Sequence, residues 1–127
     1  MPVSYVFVQD VIVITFVGVV TDKELLEAQT TLFADPLFVG DSPRLVDASQ
    51  VTEMRLSERL IRHVAQAAYD RGLRRSALVA SDKSVVFGLM RMYAQYAGHA
   101  TVEVFREAPA AIEWLRVDPA ALYRTTP

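Results

Sequence analysis

Val11-Ile12-Val13-Ile14-Thr15-Phe16-Val17-Gly18-Val19-Val20-Thr21-Asp22-Lys23-Glu24 is the stretch from which the fold can be read. Val11–Val17 is β-branched and aromatic and has no polar face, so it reads as a strand buried on both sides, inside a sheet. The apolar run from Val11 to Val20 is too short to span a bilayer, and it contains Thr15 and Gly18. Thr21 to Glu24 then has the spacing of a capping box. The Thr21 hydroxyl is placed to accept from the Glu24 amide, and the Glu24 carboxylate to reach back. A buried strand that runs into a capped helix is one turn of an α/β fold.

Working outward, Val3–Val8 is a second β-rich run, separated from Val11 by Gln9-Asp10, and the pair reads as a hairpin. Downstream, Leu25, Leu26, Leu32 and Phe33 fall on one helical face, and Asp35-Pro36 should end that helix. Arg44–Ala48, Ser76–Ala80 and Thr101–Phe105 read as the third, fourth and fifth strands. Between them lie helical stretches over about Ser57–Arg71 and Ser84–Ala97, with Gly72 and Gly98 where a left-handed C-terminal residue belongs. A last helix is expected over Pro109–Arg116. The order β-β-α-β-α-β-α-β-α predicts parallel strands with right-handed crossovers and the first strand antiparallel at an edge. One domain is expected over 1–117, followed by a weakly patterned tail over 118–127.

The composition narrows the function. The apolar fraction of 52% is enough for a core and leaves apolar surface for a partner. A net charge of -2 argues against nucleic acid and against an anionic membrane. The absence of cysteine excludes disulfides, thiolate zinc sites and a cysteine nucleophile, and fits a cytoplasmic protein. Met1-Pro2-Val3-Ser4 lacks the charged start of a signal peptide, and no membrane insertion is expected.

Several short motifs in order carry a family resemblance. They are Phe16-Val17-Gly18 with Thr21, Asp35-Pro36-Leu37-Phe38, and Leu45-Val46-Asp47. Ala77-Leu78-Val79-Ala80 and Phe87-Gly88-Leu89-Met90-Arg91-Met92 follow, then Val104-Phe105-Arg106 with Ala111 and Trp114-Leu115. Together they resemble a family of small bacterial STAS-like proteins, SpoIIAA-like in fold, over about residues 5–116. That family is similar to the anti-sigma-factor antagonists and, more distantly, to the CRAL/TRIO lipid carriers. The resemblance implies an α/β fold, a β-α superhelix with a five-stranded mixed sheet. Strands 2–5 would be parallel and sequential, strand 1 antiparallel at the edge, with about four helices. It also implies a phosphorylation position at Ser57, the counterpart of the antagonists' serine. Arg55, Leu56 and Glu58 replace the aspartate, serine and glycine around that serine, which argues against phosphorylation here.

Ser57 also has a plain role as helix N-cap, with Glu58 suited to the positive helix end. Asp47, Ser49, Ser81, Asp82 and Lys83 follow the ends of neighbouring strands, where open α/β sheets place ligands. They form a candidate polar site that Arg55 or Arg106 would complete. Loop polarity with Ser81 or Asp82 capping a helix explains the same residues, and better, since no glycine-rich loop cradles a phosphate. His63 and His99 lack metal-ligand spacing, and no serine sits in a nucleophile elbow. No catalytic residue, metal or cofactor is expected.

On the third helix, Val85, Val86, Leu89, Met92, Tyr93 and Tyr96 are assigned to the core. Phe87, Met90, Arg91 and Ala94 then point outward and form a candidate interface, because aromatics, Met and Arg are enriched in such patches. Gly88 would allow another helix or chain to come close, and Trp114 should be partly buried. The sequence therefore favours a non-enzymatic interaction module, self-associating as a homo-oligomer and open to a regulatory protein partner. The alternative, by CRAL/TRIO analogy, is a binder of a small apolar or amphipathic ligand. Short strands and helices leave little room for a lipid-sized pocket of several hundred Å3, roughly.

Overall fold

The computed structural model describes residues 2–98 and 100–115. The elements are β1 (Val3–Val8), β2 (Val11–Thr21), α1 (Asp22–Ala34), β3 (Arg44–Arg55), α2 (Glu58–Asp70), β4 (Arg75–Val79), α3 (Ser84–Tyr96), β5 (Thr101–Phe105) and α4 (Ala108–Leu115). The sheet order is β1-β2-β3-β4-β5, with β1 antiparallel to β2 and the other neighbours parallel. This is the expected mixed sheet with sequential strands. The expected tail over 118–127, the end of the last helix at Arg116, and His99 lie outside the described residues.

Two strands are longer than their sequence suggests. β2 continues past Val17 through Gly18, whose positive φ of 71° suits a residue without Cβ, and the pairing register shifts on either side of it. β3 continues to Arg55 because Val51 and Met54 still point into the core among polar, exposed neighbours. β4 pairs with β3 from Arg44 to Asp47, so the farther part of β3 is paired on its β2 side, as a two-stranded extension of the sheet.

The two sheet faces are covered unequally. One packs under α1, α2 and α3 around Ile12, Ile14, Val46, Leu78 and Met90. The other packs under α4, where Val11, Leu45, Ala77 and Val79 meet Ala111, Ile112 and Leu115. On that second face Val6, Val17 and Val19 are exposed, at 49%, 43% and 40%. β2 is apolar on both sides because it contributes to both cores, as its sequence implies.

The phase of α3 corrects the sequence reading. Val86, Met90 and Ala97 are buried, and Tyr93 packs against the same core. Met90 is therefore a core residue and not part of an exposed patch, and Val85 is 66% exposed instead of buried. Apolar residues lie on several sides of this helix, so periodicity alone left its rotation ambiguous. The positions 86, 90, 93 and 97 follow the three-and-four spacing of one stripe, and that stripe faces the sheet. On α1, Leu32 is buried and Leu25 and Phe33 pack against the core, but Leu26 turns outward.

Candidate functional site: an apolar cavity beside a buried arginine

A cavity of about 80 Å3 lies between the three-helix face of the sheet and α1–α3. Its floor is a cross-strand row: Tyr5 is paired with Ile14, Ile14 with Val46, and Val46 with Leu78. The pleat sends alternate side chains to one face, so neighbouring strands line up these residues. Leu25, Ala28 and Leu32 descend from α1, Ile61 and Val64 from α2, and Leu89, Met90 and Tyr93 from α3. Each set follows helical spacing, so one face of every covering helix lines the same space.

Few polar groups reach the lining. Gln29 is tied to the helix beside it, its amide donating to the Val64 carbonyl at 2.9 Å. The Tyr5 hydroxyl donates to Asp35 Oδ2 at 2.8 Å. Burial, then the hydrogen bond to Asp35 and its charge, hold this phenol above its ordinary pKa.

Arg44 is the exception among the lining residues. It opens β3 on the same face as Val46 and is 7% exposed. Its Nε donates to Ser76 Oγ at 3.2 Å, from the register partner on β4, and Nη2 donates to the Tyr93 hydroxyl at 2.6 Å. The guanidinium also lies 5.4 Å from the Tyr93 ring centroid. The ion pairs among the described residues are Lys23–Glu27, Arg55–Glu53 and Arg62–Glu58, all at the surface, and none involves Arg44. The sequence treated Arg44 only as the start of a strand. Its parity with Val46 and Ala48, both core residues, was the signal that it points inward.

The residues singled out from sequence are placed as follows. Ser57 caps α2, its Oγ accepting from the Leu60 amide at 3.2 Å. The same hydroxyl donates to Asp22 Oδ2 at 2.7 Å, and the Ser57 amide donates to Asp22 Oδ1 at 2.8 Å. Asp47 accepts from the Ser49 amide, and Ser81, buried, accepts from the Lys83 amide. Ser49, Asp82 and Lys83 are exposed. Each of the two bonds closes its own loop. Arg55 pairs with Glu53 at 2.8 Å, and Arg106 lies 4.0 Å over the Phe87 ring, so these two cations are engaged elsewhere. Phe87 is half-buried against the core under Arg106; Arg91 is exposed and Ala94 half-buried. His63 is exposed on α2. Trp114 is half-buried, tilted on Phe105 at 5.8 Å, with the Arg75 guanidinium 4.6 Å from its ring. Among the described residues no group of His, Asp and Glu could hold a metal ion, and no helix is long and apolar enough to cross a membrane.

A solved structure decides the architecture. The chain is similar to an uncharacterized protein of the DUF3478 family with a SpoIIAA-like fold from Shewanella loihica PV-4. The TM-score is 0.59 at 14% sequence identity, over 89% of this chain and 91% of that one. The fold is SpoIIAA-like. At that identity the likeness transfers the architecture alone. No protein-family model matches the sequence, and no curated protein matches it. Within the SpoIIAA-like frame, the cavity lies under the helices that cover the larger sheet face.

Proposed function

We propose that this SpoIIAA-like domain binds a small apolar or amphipathic molecule in the cavity between its sheet and α1–α3. The observation that carries the reading is the cavity itself. Well-packed interiors leave few voids larger than a water molecule, and this one is lined by aliphatic and aromatic side chains from all three covering helices. Its volume of about 80 Å3 is well below that of a lipid-sized pocket, so the occupant is small. Binding is attributed to the apolar lining, and no chemical step is assigned.

The test is a titration with 1-hexanol, followed by amide chemical shifts, on the wild type and on Ala28→Leu. Ala28 lines the cavity, and a larger side chain there would fill it. Saturable shifts confined to the cavity in the wild type, absent in a folded Ala28→Leu, are the expected result. Shifts scattered over the surface, or unchanged by the substitution, would remove the reading.

Self-association is the second reading, and it now rests on a different surface. Val17 and Val19 are exposed on the sheet face that α4 only partly covers, and Val6 is exposed farther along that face, beyond the Ser4–Thr15 pair. A charge at Phe87 would disturb the core that this side chain packs against and would not test self-association cleanly. Sedimentation of the wild type and of Val17→Asp tests this reading. A wild type that stays monomeric at high concentration would sink it.

A further inference from the structure

Arg44 gives the cavity a sign. A guanidinium carries a positive charge, and a buried charge is ordinarily paired. Here its two hydrogen-bond partners among the described residues are neutral hydroxyls, of Ser76 and Tyr93. They hold the side chain in place through Nε and Nη2 but supply no negative charge. Nη1 has no acceptor among the described residues and, since no buried side-chain nitrogen there lacks a partner, it is accessible and not sealed in; none of the ion pairs found there reaches Arg44. The arginine is therefore oriented from two sides, lines a largely apolar space, and has a donor left over.

We infer that the occupant of this cavity is a small carboxylate with an apolar body, its carboxylate on Arg44 and its body against the aliphatic lining. The inference rests on the proposed binding function and adds the charge and orientation of the ligand. A carboxylate matches the planar guanidinium fork and accepts more than one of its N–H groups. A neutral alcohol of the same length gains the apolar contacts but leaves the charge unbalanced. A cation of the same length brings a like charge into a low-dielectric space, which is unfavourable.

The experiment compares hexanoate, 1-hexanol and hexylamine at near-neutral pH on the full chain, by calorimetry and amide shifts. Hexanoate should bind at least roughly tenfold more tightly than 1-hexanol, as a charge-assisted hydrogen bond implies, and hexylamine more weakly than either. In Arg44→Met, the wild-type preference for hexanoate over 1-hexanol should be lost. Equal wild-type affinities for hexanoate and 1-hexanol would overturn the anion assignment and leave the apolar site standing. So would a hexanoate preference that survives in Arg44→Met. If neither compound binds in the cavity, the proposed function fails and this inference with it. The wild-type comparison does not depend on the folding of Arg44→Met, so a variant that fails to fold leaves the charge preference measurable.

Discussion

Ser57 and Asp22 lie 35 residues apart and share two hydrogen bonds. The cap was legible because it is local: a serine directly before a helical run, with Glu58 after it. The partner was not, because Asp22 comes alongside only through the pairing of Thr21 with Arg55 across β2 and β3. Ser57→Ala should lose about 0.5–2 kcal/mol in denaturant melts. From sequence, Ser57→Asp should fold almost as well as the wild type, since aspartate also caps. In the structure the new carboxylate would face the carboxylate of Asp22. Ser57→Asp is therefore expected to be less stable than Ser57→Ala, with Asp22→Asn restoring much of the loss. A phosphate on Ser57 would meet the same repulsion. Tyr5 makes a second prediction at this scale. Its phenol titrates above the ordinary value of 10.0, so the stability tied to it is complete below that pH. That stability is lost as the pH rises through the raised pKa. In alkaline melts the gap between wild type and Tyr5→Phe should be constant below the ordinary value and close above it. A gap that persists would show that the Asp35 hydrogen bond contributes nothing.

Helix α3 shows what periodicity resolves and what it leaves open. Its bounds agree with the sequence reading to within a residue, but its rotation does not, because Val85, Phe87 and Leu89 surround the buried stripe with further apolar side chains. Only the shape of the sheet beneath decides which stripe turns inward. Gly88 lies on the exposed side of this helix, and a Cβ there would meet nothing within 4 Å. Gly88→Ala should thus stabilise the chain by roughly 0.5–1 kcal/mol, the cost of glycine in a helix interior. A loss of stability in the thermal melt would mean that a second helix or chain approaches there. Gly40 is the opposite case, and its sequence neighbourhood does not reveal it. A Cβ at Gly40 would land inside contact distance of the Arg71 carbonyl oxygen at the end of α2. Both groups are backbone and cannot swing away. Gly40→Ala is expected to cost about 1–3 kcal/mol in the same melt, as overpacking does. β3 was read short for a related reason. Ser49 to Arg55 is mostly polar, and the three-residue spacing of Val51 and Met54 breaks strand alternation, because the register shift leaves Thr52 as an extra residue between them.

The architecture of the whole molecule was legible because it follows from a count of alternating units and from the handedness of their connections. The cavity was not, because it is a small remainder between large surfaces that otherwise fit. No single residue announces it, and Arg44 shows its meaning only once α3 closes over β3 with Tyr93 above it. Each strand of the sheet lies beside the one made just before it. A chain leaving the ribosome can therefore pair every strand as soon as it emerges, without waiting for a distant partner. The long β2–β3 pairing is available when less than half of the sequence has been synthesised. The face that carries Val11, Leu45 and Val79 has to wait for α4, the last of the described elements to appear. During synthesis that face is the part of the nascent chain open longest to a chaperone, and to a neighbouring chain on the same message.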